Sequence, residues 1–103
     1  MKRYNGYNGT AARPVAVIGA PSSIGIRPYD DGRARRLDLA PGVLRALGVA
    51  DRLGAEDLGD VPPPPYRDFT RPAGGVRNEP EVAQYSRQLA DRVASASASG
   101  RFP

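Results

Sequence analysis

An α/β fold with a parallel sheet is the class that this sequence predicts, and three observations lead there. Val15–Ala20 is an unbroken run of β-branched and small residues, the pattern of a strand covered on both faces. Residues 55–58 read as a second, shorter strand, closed by Asp57-Leu-Gly-Asp60. Each segment is followed by a stretch carrying helical signals, and the order strand, helix, strand, helix favours right-handed parallel crossovers.

Residues 1–14 hold two Asn-Gly pairs and little that is apolar. Asn-Gly favours tight turns, so this stretch reads as a flexible tail, with a small hairpin as the alternative. The strand of residues 15–20 stops at Pro21, because proline has no amide hydrogen to give a ladder. Residues 22–38 are rich in Ser, Gly, Pro and charge, with Arg27-Pro28 and Asp30-Asp31-Gly32 as turn signals. A long loop at the carboxyl end of a parallel strand is where α/β folds place ligands.

Pro41 suits the first turn of a helix that runs to Leu47, and Gly48 suits the left-handed residue that ends it. Val43, Leu44 and Leu47 share a helical spacing and are expected to pack on the sheet. After the second strand, Pro62–Pro65 must be extended, a stiff connector rather than a folded element. A ligand for a proline-reading domain is the other use of such a run. Asn78 is expected to cap the last helix, with Glu81 completing a capping box. Val82, Tyr85, Leu89 and Val93 form its apolar stripe, and Gly100 is a natural stop. Two strands alone leave open edges, so a third is expected directly after Gly100.

Composition narrows the function. Of the 103 residues, 20 are Leu, Ile, Val or Phe, near the lower edge for a self-sufficient core. The chain therefore reads as part of a domain that would be marginal alone. The net charge of +4 is carried by scattered arginines, apart from Arg33, Arg35 and Arg36. That pattern suits a solvated surface and no nucleic-acid partner. Cysteine and histidine are both absent, which removes thiolate sites, the commonest metal ligand and the commonest general base. No apolar run approaches the ~20 residues of a membrane span, and Tyr4–Thr10 interrupts any signal peptide. A cytoplasmic protein with no membrane partner is expected.

Three candidate sites have simpler readings. Gly19-Ala-Pro-Ser-Ser-Ile-Gly25 lacks the middle glycine of a dinucleotide fingerprint, and Arg27-Pro28 breaks the helix that should follow. Asp30, Asp31, Asp57 and Asp60 are the clustered carboxylates; they could bind a divalent cation, but a turn and a strand end account for them. Ser22 and Ser23 have no histidine or nearby lysine to activate them as nucleophiles.

Taken in order, several segments resemble the N-terminal portion of the ureohydrolase superfamily, the arginase and agmatinase group. They are Val15–Pro21, Gly25, Pro41 through Leu44-Arg45 and Gly48, Asp57-Leu-Gly-Asp60, and Asn78 with the long helix to Gly100-Arg-Phe-Pro103. The likeness covers residues 15–103, and the last helix is arginase-like in particular. The resemblance implies the N-terminal part of a three-layer α/β/α domain, incomplete here. It implies hydrolysis of guanidino or amidino C–N bonds, with arginine or agmatine as substrate, by two Mn²⁺ ions and a bridging hydroxide. A homo-oligomer is also implied. The family's ligand motifs, G-G-D-H-S, D-x-H-x-D and S-x-D-x-D-x-x-D-P, are not found, so no catalytic, cofactor-binding or metal residue is carried over. The polypeptide is expected to be catalytically silent alone. Ala40 stands where the family usually has glycine, and the Arg27–Arg36 stretch is longer and more charged than usual, which leaves the substrate open. Two alternatives stand beside this one: a non-enzymatic module pairing through an exposed sheet edge, and a degenerate dinucleotide-binding unit.

Overall fold

Branched and small side chains with no polar interruption make residues 15–20 a strand. In the computed structural model, which describes residues 13–68 and 73–103, this strand is β1, Ala16–Gly19. It pairs in parallel with β2, Glu56–Asp60, through Ala16–Glu56, Val17–Asp57 and Gly19–Asp60, with one register shift between Val17 and Gly19. The ladder sets the limits of β2, which runs from Glu56, one residue later than expected, past Leu58 to Asp60. On the other edge of β1, Phe102 forms a parallel bridge with Val15. Ala16 donates its amide to the Phe102 carbonyl at 2.8 Å, and Phe102 donates to Pro14 at 2.9 Å. The segment after Gly100 thus lies beside β1, which becomes the middle of the array. Of the tail expected over residues 1–14, residues 1–12 lie outside the described residues.

A 3-10 turn at Leu37–Leu39 leads into α1, Ala40–Ala46, with Pro41 in its first turn. Gly48, at φ 83°, supplies the left-handed residue that ends this helix. The same glycine starts α2, Val49–Leu53, a single turn too short to announce itself by periodicity. Val43, Leu44 and Leu47 do not pack on the sheet as expected; they are 54%, 50% and 67% exposed. A narrow parallel ribbon offers too little surface to cover a helix on each face, and Val17 and Ile18 are accordingly half-exposed.

The face that is covered belongs to α3, Glu79–Ala98. Its stripe is oriented as expected at Tyr85, which is buried, and at Val82 and Leu89, which are half-buried. Val93 is 40% exposed, and Ala96 continues the buried line instead. Two hydrogen bonds tie α3 to β2: the Tyr85 hydroxyl donates to the Val61 carbonyl at 2.6 Å, and Arg92 donates to the Leu58 carbonyl at 2.6 Å. Burial, with Asp60 nearby, pushes the Tyr85 phenol above its ordinary pKa. The helix ends at Gly100, as expected, with the Arg101 amide closing onto Ala96.

The capping box does not form. Asn78 is left-handed, at φ 52° and ψ 39°, and its side chain makes no cap bond. Instead its fully buried amide donates to the carbonyls of Ile24 at 2.9 Å and Arg67 at 2.8 Å. One side chain therefore fastens the loop after β1, the connector after β2 and the start of α3. The result is a small α/β domain whose core of Ala16, Ile24, Val61, Tyr85 and Ala96 sits under α3. Among the described residues no helix is long and apolar enough to cross a membrane.

Candidate functional site

The carboxyl ends of β1 and β2 converge on Arg45. Pro41 opens α1 and sets Arg45 in its last turn. From there its Nε donates to Asp57 Oδ2 at 2.7 Å and its Nη2 to Asp57 Oδ1 at 3.2 Å. Nη2 also pairs with Asp60 Oδ1 at 2.7 Å. Asp57 further accepts the Gly59 amide at 2.9 Å, so its carboxylate is fixed from two sides. All three side chains are about one-third exposed or less buried than a core residue, at 26% for Arg45, 35% for Asp57 and 37% for Asp60.

Gly19 completes this arrangement by having no side chain. A Cβ there would stand 1.9 Å from Asp60 Oδ1 and 3.0 Å from Arg45 Nη2. Close approach of backbone to carboxylate is what requires glycine at the end of β1. Across the same junction the Val61 amide donates to the Gly19 carbonyl at 2.9 Å.

The Arg45 guanidinium, and after it the Gly59 amide, hold the Asp57 carboxyl below its ordinary pKa. Hydrogen bonds from Arg45 to Asp60 and Asp57 in turn stabilise the charged guanidinium. A depressed carboxyl pKa contributes stability above the ordinary carboxylate range, and that contribution is lost as pH falls through the folded-state value. Acid titration followed by circular dichroism, from about pH 7 to about pH 2, should show stability declining as Asp57 is protonated. In Arg45→Met the site's acid dependence should flatten, because the Asp57 carboxyl then loses the guanidinium that is the larger cause of its lowered pKa. An acid transition identical in both proteins would remove this account.

The four candidate carboxylates are each engaged by arginine. Asp30 pairs with Arg27, Asp31 with Arg33 at 2.7 Å, and Asp57 and Asp60 with Arg45. Among the described residues no three acidic side chains gather where an ion could be held. These donors do not fit a manganese pair, since each would first have to give up a guanidinium. The serines serve the loop. Ser23 donates to the Arg35 carbonyl at 2.8 Å, and Ser22 accepts the Ile24 amide at 3.1 Å. Gly19 is no phosphate cradle either, because the Asp60 carboxylate occupies the space an anion would need.

Beside this junction lies a cleft of about 410 Å³, walled by Pro21 and Ser23 from the loop after β1 and by Pro63–Tyr66 from the connector after β2. Arg35, Arg36 and Asp38 form its polar side. Sequence reasoning missed two of these features. Arg45 stood inside a recognised segment, but nothing local showed which carboxylates it would meet. The arginines of the loop looked free of aromatic neighbours, yet Arg33 and Arg35 lie 5.5 Å and 4.4 Å from the Tyr29 ring centre. The Tyr-x-x-x-Arg-x-Arg spacing across an Asp-Asp-Gly turn was the available signal.

No family model matches the chain, and no curated protein or solved structure matches it.

Proposed function

We propose that these residues are the N-terminal strands and helices of an arginase-like ureohydrolase, a manganese-dependent hydrolase of guanidino or amidino C–N bonds. The observation that carries the reading is the Arg45 junction. The segments on which the resemblance rests are apart in sequence, and Arg45 binds Pro41–Gly48 to Asp57–Asp60 directly over Gly19. Residues that look like motifs thereby have a shared structural reason to occur together. The parallel bridge of Phe102 beside β1 supports the same reading, since it sets the residues after Gly100 at the edge of β1 where a third parallel strand is expected. The four candidate carboxylates are engaged by arginines, so in this reading they are not the family's metal ligands.

Residues 15–103, exchanged for the matching segment of an authentic arginase, should give a chimaera that releases urea from arginine on addition of Mn²⁺. A folded chimaera without turnover would overturn the family reading. Turnover by the 103-residue chain alone, or tight calorimetric binding of two Mn²⁺ ions, would overturn the claim that it is silent. The edge-pairing alternative has less behind it. The outer strand β2 reads Glu-Asp-Leu-Gly-Asp, and like charges along an edge oppose the addition of another strand.

A further inference from the structure

Three of the four arginines in the loop after β1 hold an aspartate, and the fourth does not. Arg27 pairs with Asp30, Arg33 with Asp31, and Arg36 with Asp38 through two bonds of 3.0 Å. Arg35 meets no carboxylate among the described residues, and residues 1–12 and 69–72 contain no Asp or Glu. Arg35 is nonetheless held in place. Its carbonyl accepts Ser23 Oγ at 2.8 Å, its Nε donates to the Arg27 carbonyl at 2.9 Å, and its guanidinium lies over Tyr29. With Nε engaged, the two terminal nitrogens remain as the edge that grips a carboxylate in paired hydrogen bonds.

We infer that the cleft beside the Arg45 junction binds a small carboxylate carrying a compact apolar group, with Arg35 as its anchor. The cleft's volume, about 410 Å³, falls within the range of small-molecule sites. Its walls of Pro21, Pro63–Pro65 and Tyr66 are apolar and stiff, which suits the body of such a ligand. A cation already fixed at Nε and against the Tyr29 ring loses little further freedom on binding. Asp38 also lines the cleft, but Arg36 neutralises it, leaving the positive charge of Arg35 in excess. A single uncompensated guanidinium matches a monoanion, whereas phosphate sites gather several donors or a nest of backbone amides; of the two arginines lining this cleft, Arg36 is taken up by Asp38.

The test is independent of any urea-release assay, so it can fail or succeed whatever the family. The uniformly ¹⁵N-labelled chain is titrated with benzoate, benzamide and inorganic phosphate, following the Ala34, Arg35, Arg36 and Tyr66 amides and the Arg35 Nε resonance. Benzoate should give saturable shifts at these positions and benzamide none. Arg35→Gln should weaken benzoate at least ~10-fold, the worth of a charge-assisted bond. Arg33→Gln, which removes a charge from the same ring but lies outside the cleft, should bind as the parent does. Absence of saturable benzoate shifts, equal shifts from benzamide, or undiminished binding by a well-dispersed Arg35→Gln would each overturn the inference. Phosphate binding as strong as benzoate would make this a general anion site and overturn the assignment to carboxylates.

Discussion

Alanine at Gly19 is expected to lower folding stability by about 3 kcal/mol, the upper part of the usual range for overpacking. The added methyl would lie 1.9 Å from Asp60 Oδ1, far inside any van der Waals contact. The obstruction is not a floppy chain end, because Asp60 is held by Arg45 and lies in register with Gly19. Relief requires moving β1 away from β2 or expelling Asp60 from Arg45. The first breaks the β1–β2 ladder, and the second breaks the contact that joins the sheet to α1. Denaturant unfolding followed by circular dichroism measures the loss. Adding Asp60→Ala should restore part of it, since the clash partner is then gone. A Gly19→Ala midpoint equal to the parent's would show that the junction is not as close as described.

A carboxylate at position 78 should do still more damage. Asn78→Asp replaces two N–H donors by acceptors that face the carbonyl oxygens of Ile24 and Arg67, in a place with no solvent exposure. An uncompensated buried charge of this kind costs about 4 kcal/mol. The sign of its pH dependence is definite. Burial beside carbonyl oxygens raises the folded-state pKa of the new carboxyl, so the penalty is smallest below about pH 4 and grows as pH rises through the raised value. Asn78→Gly keeps the left-handed backbone and loses the bonds to Ile24 and Arg67, at about 2 kcal/mol. Asn78→Ala adds the strain of a side chain at φ 52°, so it should fall below the glycine variant by about 1 kcal/mol. Midpoints at neutral and acid pH that rank these variants otherwise would sink the clasp.

How much of this was legible beforehand depended on whether the cause was local. Val15–Ala20 needed no partner to read as a strand, because its side chains alone exclude most alternatives. The last helix was equally plain from Val82, Tyr85 and Leu89. Asn78 was placed at the right boundary for the wrong reason. Its residue type suits a cap, but two carbonyls distant in sequence compete for the same amide and win. Val43, Leu44 and Leu47 have the spacing of a buried face, and spacing cannot say whether a surface exists for that face to meet. In the candidate site, glycine at position 19 was readable as the end of a strand. Its role in admitting Asp60 depended on a parallel register that only the assembled sheet supplies.

The bridge between Val15 and Phe102 has a consequence for how the chain is made. β1 receives its neighbour on that side from Phe102, so every residue between Val15 and Phe102 must leave the ribosome first. Until then Ala16 and Pro14 display unfilled backbone groups to whatever strand arrives, and the loop to be closed spans α1, α2, β2 and α3. Nascent chains arrested before Phe102 emerges should accordingly be captured by holdase chaperones, while those arrested well beyond it should escape.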